Sequence, residues 1–331
     1  MKTPGWFLKR SFMAYLLLPL SVIYFFISRL VYFIRLRNQT VSRVPVICIG
    51  NIFAGGVGKT PIVREVAKRF CAPVVMRGYG AKRQSREYRV ESRDNVEFIG
   101  DEARMLSNVG LKVFTGNRKK NIESINNSLL STLYSAIAPR AIVMDDGFQN
   151  PTIKKDISVL VFDEKLGLGN GFVLPAGPLR EPVSAMRRAD AVVIIKGKGQ
   201  KAKGKIERIA KKYNKPVFYA KNETKLPSAL CLLPFVAFAG IGYPRKFFDA
   251  LPQKNLARAI PFPDHYQYNS ADLDLLFEIA KSENARLLTT EKDWVRLPPA
   301  AQKKIAVAKL ETVIDQKFFN WLEGKLNEKR N

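Results

Sequence analysis

The segment Gly50-Asn51-Ile52-Phe53-Ala54-Gly55-Gly56-Val57-Gly58-Lys59-Thr60-Pro61 sets a glycine-rich turn between an apolar run and a helical period. At such a junction, backbone N–H groups and the positive end of the helix dipole can hold phosphate oxygens. Lys59 can reach β- and γ-phosphates, and the Thr60 hydroxyl can ligate Mg²⁺. Phe53, Ala54, Gly55, Gly56, Val57, Gly58, Lys59 and Thr60 are therefore the expected nucleotide-binding stretch. The loop is a variant, because the first glycine of the G-x-x-x-x-G-K-[ST] spacing falls on Phe53. A second apolar run, Ala141–Met144, ends in Asp145-Asp146. Carboxylates at the C-terminal edge of a parallel strand sit where α/β folds bind ligands. Thr60, Asp145 and Asp146 are the expected metal group, with ATP and Mg²⁺ as the implied cofactors.

These groups need a scaffold that alternates strands with helices. Val44–Ile49, Pro73–Met76, Val113–Thr115, Ala141–Met144, Ile157–Phe162 and Ala191–Ile195 read as strands, and Lys59–Phe70 and Asp101–Asn108 as helices. This order predicts an α/β fold with an open, mostly parallel sheet covered on both faces. After a linker near 217–234, flanked by Pro227 and Pro234, the pattern restarts. Phe235–Ala239, Leu256–Ile260, Arg286–Thr289 and Ile305–Ala308 are expected strands, with helices over Pro244–Leu251 and Asp272–Lys281. The expected units are an anchor at 1–37, a phosphate-loop core at 38–220 and a smaller α/β domain at 221–331.

The 331 residues carry 55 Lys+Arg against 29 Asp+Glu, a net charge of +26, with three cysteines and one histidine. The dispersed cysteines exclude a disulfide framework or a CxxC knuckle, and a lone His265 excludes a histidine metal cluster. Residues 1–64 hold nine basic residues and no acid; residues 196–215 hold nine more against Glu207 alone. The first stretch surrounds a charge-free run, Ser11–Ser28, whose continuation to Ile34 gives a helix of about 36 Å, enough to cross a bilayer core. Trp6, Lys9 and Arg10 flank one end and Tyr32, Arg35 and Arg37 the other, as interfacial anchors do. Pro19 leaves a kinked or half-inserted helix open. The Lys-rich stretch is either a solvated basic face or a patch for an anionic membrane. No aromatic-interleaved basic motif or recognition helix points to nucleic acid.

Seven motifs in order then resemble one family, the tetraacyldisaccharide 4′-kinases of lipid A synthesis. They are the variant loop, Arg77-Gly78-Tyr79-Gly80, Gly100-Asp101-Glu102, Asp145-Asp146-Gly147-Phe148-Gln149, Leu174 to Pro182, Phe262-Pro263-Asp264-His265, and Thr290-Glu291-Lys292-Asp293. The resemblance implies two α/β/α domains joined by a two-stranded linker, with an active site in the cleft. It also implies transfer of the ATP γ-phosphoryl group to the 4′-hydroxyl of an acylated disaccharide 1-phosphate; the need for cytosolic nucleotide places the enzyme on the cytoplasmic face of the inner membrane, and a monomer is expected. Asp101 would be the base and His265 its partner, and Arg77, Tyr79, Glu102, Gln149 and Arg180 would line the cleft. Two positions depart from the family pattern: Asn150 stands where a His is usual, and Ala81 and Lys82 follow Gly80. Two alternatives are a membrane-bound phosphate-loop ATPase of the partitioning or targeting type, and a basic membrane adaptor that only binds nucleotide. The ATPase class has a second Lys where Ala54 sits and gives His265 no role.

Overall fold

The computed structural model describes residues 4–77, 88–90, 100–129, 139–197, 204–230 and 232–329. Tyr79 and the neighbouring Gly78, Gly80, Ala81 and Lys82 lie outside the described residues, as do Lys198, Lys201 and Lys203. The strands are β1 (Val46–Gly50), β2 (Val74–Val75), β3 (Tyr88–Val90), β4 (Val113–Thr115), β5 (Ile142–Asp145) and β6 (Ile157–Asp163). They continue with β7 (Ala191–Lys196), β8 (Val217–Lys225), β9 (Phe235–Ala239), β10 (Leu256–Pro261), β11 (Arg286–Thr290) and β12 (Ala306–Ile314). All join one sheet in the order β10-β9-β11-β12-β8-β7-β6-β1-β5-β2-β4-β3. The pairs β12–β8 and β3–β4 are antiparallel and the others parallel. β1, β5 and β6 are buried along their whole length, which is why they read as unbroken apolar runs rather than alternating ones.

The helices are α1 (Phe12–Leu16), α2 (Leu18–Leu36), α3 (Lys59–Arg69), α4 (Asp101–Asn108), α5 (Arg118–Ser128) and α6 (Lys205–Lys212). After β9 come α7 (Pro244–Phe248), α8 (Ser270–Ser282), α9 (Glu291–Trp294), α10 (Pro299–Gln302) and α11 (Gln316–Glu328). The sheet carries one large apolar cluster in its first half and two smaller ones in its second. Along β9, Val236 and Phe238 enter one small cluster while Phe235, Ala237 and Ala239 enter the other, so this sheet is covered on both faces. β8 and β12 join the halves, paired from Lys225↔Lys309 to Ala220↔Ile314. A division at 220/221 assigns α11 to the second unit, but Phe318, Leu322 and Leu326 pack into the large first cluster beside Phe218. The chain crosses back along β12 and closes the first half with its last helix.

The N-terminal apolar run breaks at Leu17 into α1 and α2. Pro19 does not kink a long helix; it sits in the first turn of α2, where its missing N–H is no loss. α2 has 19 residues, a mean hydropathy of 1.5, and length and apolarity enough to cross a membrane. One side faces the body. Ser21 Oγ donates to Val173 O at 2.9 Å and accepts from Ala176 N at 3.0 Å, and the Arg188 guanidinium lies 5.0 Å over the Tyr32 ring. The other side exposes Leu20, Ile23, Phe26, Ile27, Leu30 and Phe33. Within α6, Ile206 and Ala210 turn inward, while Lys205, Arg208, Lys211 and Lys212 stay exposed.

Candidate active site

β1 delivers the glycine-rich loop to the end of the sheet, and Gly58, in the left-handed region at φ 80°, turns the chain into α3. A Cβ at Gly58 would meet Ile195 Cδ1 at 3.3 Å, so both conformation and space favour glycine there. Phe53 and Val57 are buried; within the expected nucleotide-binding stretch their side chains serve the core, and the loop backbone is what faces outward. The Leu174–Pro182 motif braces this loop from outside. Ala54 N donates to Pro178 O at 2.6 Å, Arg180 N donates to Ile52 O at 2.7 Å, and Phe53 pairs with Leu179. The fully buried Asn51 donates to Phe53 O at 2.8 Å and accepts from Lys59 Nζ at 3.2 Å. Gln149 Nε2 donates to Asn51 O at 2.8 Å. Thr60, half-buried, stands in the first turn of α3.

The two acids after β5 occupy different environments. Asp146, at φ 50°, places Oδ1 3.2 Å from Lys59 Nζ and Oδ2 2.8 Å from Arg180. Burial works to raise its carboxyl, and Lys59 and Arg180 outweigh it, holding the group below the usual range. Both oxygens face cations, yet its Oδ1 is buried without a hydrogen-bond partner and would be freed if Lys59 turned to a phosphate. Asp145 is the opposite case. Burial, with Glu102 and Asp146 adding and Lys59 and Arg118 opposing, pushes its carboxyl up to about 7, and its Oδ1 is buried without a hydrogen-bond partner. Such an oxygen suits a cation, and Thr60, Asp145 and Asp146 remain the set that could meet one. Among the described residues no three His, Cys, Asp or Glu side chains cluster to hold a metal alone. That fits Mg²⁺, which takes one or two protein oxygens and completes its shell with phosphates and water.

Arg118, which sequence reasoning missed, closes this corner: its guanidinium donates to Asp145 O at 2.6 Å and Asp146 O at 3.2 Å. The available signal is Gly116-Asn117 after β4, where Asn117 caps α5 and aims its first residue at the sheet edge. Arg77 is exposed at the end of β2 and near enough to Arg118 to repel it. Asn150 takes no part: its side chain accepts from Thr152 N and Oγ1 within its own turn.

Asp101 and His265, 164 residues apart, meet: Asp101 Oδ2 lies 3.0 Å from His265 Nδ1. Asp101 is the first residue of α4 and is 7% exposed. Its carboxyl is held down to about 2, because burial, which would raise it, is outweighed by hydrogen bonds from His265 and Arg296. His265 is raised above its ordinary 6.5, first by its hydrogen bond to Asp101 and against partial burial. A short run from the second half grips the first around this pair. Glu291 Oε1 lies 3.4 Å from Arg64 of α3 and its Oε2 accepts from Leu310 N at 3.0 Å; Lys292 Nζ donates to Glu102 at 2.7 Å; Arg296 donates to Asp101. Burial would raise Glu102, and Lys292 outweighs it. Of the expected cleft residues, the structure brings Glu102, Gln149 and Arg180 to the site with Asp101, His265, Lys59, Asp145 and Asp146.

Comparison with known proteins agrees along the chain. The family model described as Tetraacyldisaccharide-1-P 4′-kinase matches residues 13–327. The tetraacyldisaccharide 4′-kinase of Phenylobacterium zucineum is 41% identical over 271 residues, covering 79% of this chain and 78% of the relative. That of Rickettsia canadensis is 36% identical over 303 residues, covering 88% and 87%. A crystal structure of LpxK from Aquifex aeolicus in complex with ATP superposes with a TM-score of 0.74 over 96% of this chain and 99% of that one, at 24% identity, a likeness of fold.

Proposed function

Because the chain belongs to the tetraacyldisaccharide 4′-kinase family of lipid A synthesis, we propose that it moves the ATP γ-phosphoryl group to the 4′-hydroxyl of an acylated glucosamine disaccharide 1-phosphate. In this reading Asp101 is the base and His265 its partner. The observation that carries it is the 3.0 Å contact between Asp101 and His265, made across the two halves at the edge that also bears the phosphate loop.

Phosphoryl transfer asks chiefly for positioning and charge neutralisation. The Gly55–Thr60 backbone and the α3 N-terminus receive the phosphates, and Lys59 exchanges Asp146 for phosphate oxygens. Thr60, Asp145 and Asp146 would hold Mg²⁺, which when bound neutralises charge building on the phosphate oxygens. Arg180, tied to Asp146 and beside Gln149, supports the same face. Asp101 Oδ2 is engaged by His265 and Arg296, so Oδ1 is the oxygen that takes the acceptor hydroxyl proton. A carboxylate held this low is a weak base, adequate where the proton leaves late in a loose transition state. His265 Nδ1–H orients the carboxylate, and its positive character stabilises the anion before transfer.

The Ser21 and Tyr32 contacts tie α2 to the body at both ends, which supports a helix lying within one leaflet, its apolar side down and the basic α6 nearby. The enzyme would then work on the cytoplasmic face of the inner membrane, where ATP is supplied. The test is transfer of labelled γ-phosphate to tetraacyl disaccharide 1-phosphate in detergent. Wild type labels the lipid, and Asp101→Ala loses far more kcat than ATP affinity. ATP hydrolysis with no labelled lipid would return the reading to the partitioning-type ATPase, and equal losses in kcat and affinity would remove Asp101 as base.

A further inference from the structure

The Thr290–Asp293 motif has no assigned chemistry, yet it builds the floor beneath the dyad. Asp293 is wholly buried. Its Oδ1 accepts from Gly240 N at 2.9 Å, the Tyr268 hydroxyl at 2.9 Å and Arg296 at 3.2 Å, and its Oδ2 accepts from the Thr290 hydroxyl at 2.6 Å. Arg296 follows three residues later, with its side chain 1% exposed. One arm of its guanidinium is fixed on Asp293 and on Gly240 O at 2.9 Å; the other donates to Asp101 Oδ2 and stands 3.4 Å from His265 Nδ1. Gly240 O also accepts His265 N at 3.0 Å. The same carbonyl thus anchors both the arginine and the histidine backbone.

A lone buried arginine beside one carboxylate could be a brace between the halves and nothing more. Two features of the geometry go beyond a brace. Its fork spans two carboxylates from different elements, an arrangement that a planar guanidinium fixes in direction as well as distance. It also touches the same oxygen of Asp101 that His265 touches. Since a carboxylate only accepts, Nδ1 must carry its proton to bond Asp101, and the arginine N–H then competes with that proton for one oxygen.

We propose that Arg296 is a positioning residue for phosphoryl transfer: held by Asp293, it shares Asp101 Oδ2 with His265, fixes the direction of the base and balances the charge within the pair. This rests on Asp101 and His265 being the acid–base pair. The charged groups facing the pair are Arg296, Asp293 and Lys292 from the run after β11, Asp264 beside His265 Nε2 at 3.9 Å, and Glu102 on α4. Of these, Arg296 is the cation nearest His265 Nδ1, so removing its charge favours the imidazolium.

The chain holds a single histidine, so its Cε1–H gives a single NMR resonance whose titration can be followed directly, without activity. Wild type, Arg296→Lys and Arg296→Gln are compared, with Asp101→Asn alongside. Arg296→Gln keeps donors and loses charge; it should raise the His265 pKa by about one unit. Its kcat should fall about tenfold or more while the KM for ATP stays within about twofold. Arg296→Lys keeps the charge and loses the fork; it should leave His265 near its wild-type titration and give a kcat between the other two. Coincident titrations in Arg296→Gln and wild type, or a loss confined to KM, would overturn the proposal. Should Arg296→Gln not fold, Arg296→Lys at the full wild-type rate overturns it, and a reduced rate at an unmoved His265 titration upholds it. Asp101→Asn separates the two layers: normal turnover there defeats the base reading, whereas its inactivity beside an unperturbed Arg296→Gln defeats only this inference.

Discussion

Replacing Asp101 by asparagine should cost stability in a way that depends on pH. In the folded chain its carboxyl is held at about 2 against an ordinary 3.8, and the side chain is 7% exposed, so solvent screens the pairing little. A depressed carboxyl stabilises the fold fully above its unfolded pKa and loses that contribution as pH falls through the folded value. At about 1.36 kcal/mol per unit the contribution is about 2 kcal/mol at pH 7, about 1 kcal/mol at pH 3, and nearly gone by pH 1. The substituted amide would still accept a hydrogen bond but would leave Arg296 with Asp293 as its nearest countercharge. Thermal unfolding in detergent, wild type beside Asp101→Asn, should therefore show a deficit of roughly 5 °C at pH 7 that shrinks by about half at pH 3. A deficit equal at both pH values would show that shape rather than charge was lost. No deficit at pH 7 would show that the Asp101–Arg296–His265 contact is not formed in solution.

Three further outcomes follow from the geometry. Phe318→Ala, at a fully buried site shared by α11 and the first half, should cost about 3–5 kcal/mol and lower the unfolding transition of the phosphate-loop half; loss confined to the β9–β11 half, read by hydrogen exchange, would contradict the packing of the last helix. Gly58→Ala forces a side chain into φ 80° with Ile195 at 3.3 Å, a strain of about 1–2 kcal/mol, and should weaken ATP binding about tenfold by calorimetry; an unchanged Kd would mean that the loop does not use this turn to hold phosphate. Ile23→Glu combined with Phe26→Glu, on the exposed side of α2, should leave the chain in the aqueous fraction after flotation with anionic vesicles, with ATP affinity unchanged; co-flotation like wild type would remove this side of α2 from the membrane contact.

Where the signal is local, the amino-acid pattern and the fold agree. Val113–Thr115, Phe235–Ala239 and Asp101–Asn108 lie where the pattern puts them, because apolar runs and helical periods are local properties that the core then uses. β8 reads as a linker because its second half, Lys221–Lys225, is polar; its ladder to β12 is set by a partner about ninety residues away. α5, with Ile122 and Ile125 as its buried apolar residues, carries too little periodicity to announce itself. The same division runs through the site. Lys59, Thr60 and Asp145 are legible because a phosphate loop and a strand-end acid are contiguous motifs, while Arg118 and Arg296 are single arginines whose roles come from what tertiary structure sets opposite them.

The run Glu291 to Arg296 also explains how the second half acts on Asp101 and on the phosphate loop, which both belong to the first. Glu291 takes Arg64 from the helix that carries Lys59; Lys292 takes Glu102, next to Asp101; Arg296 takes Asp101 itself. Separating that run from the first half would strip all three partners at once. Asp101 would then lose the cations that hold it down, and Glu102 the ammonium that outweighs its burial, so both carboxyls would move up together. The direction of Asp101 and the charge around it are thus tied to the contact between halves, and that contact reaches through Arg64 to α3, which follows the glycine-rich loop. If Asp101 takes the acceptor proton as proposed, the halves meeting over the loop aim it at a seated hydroxyl rather than at water.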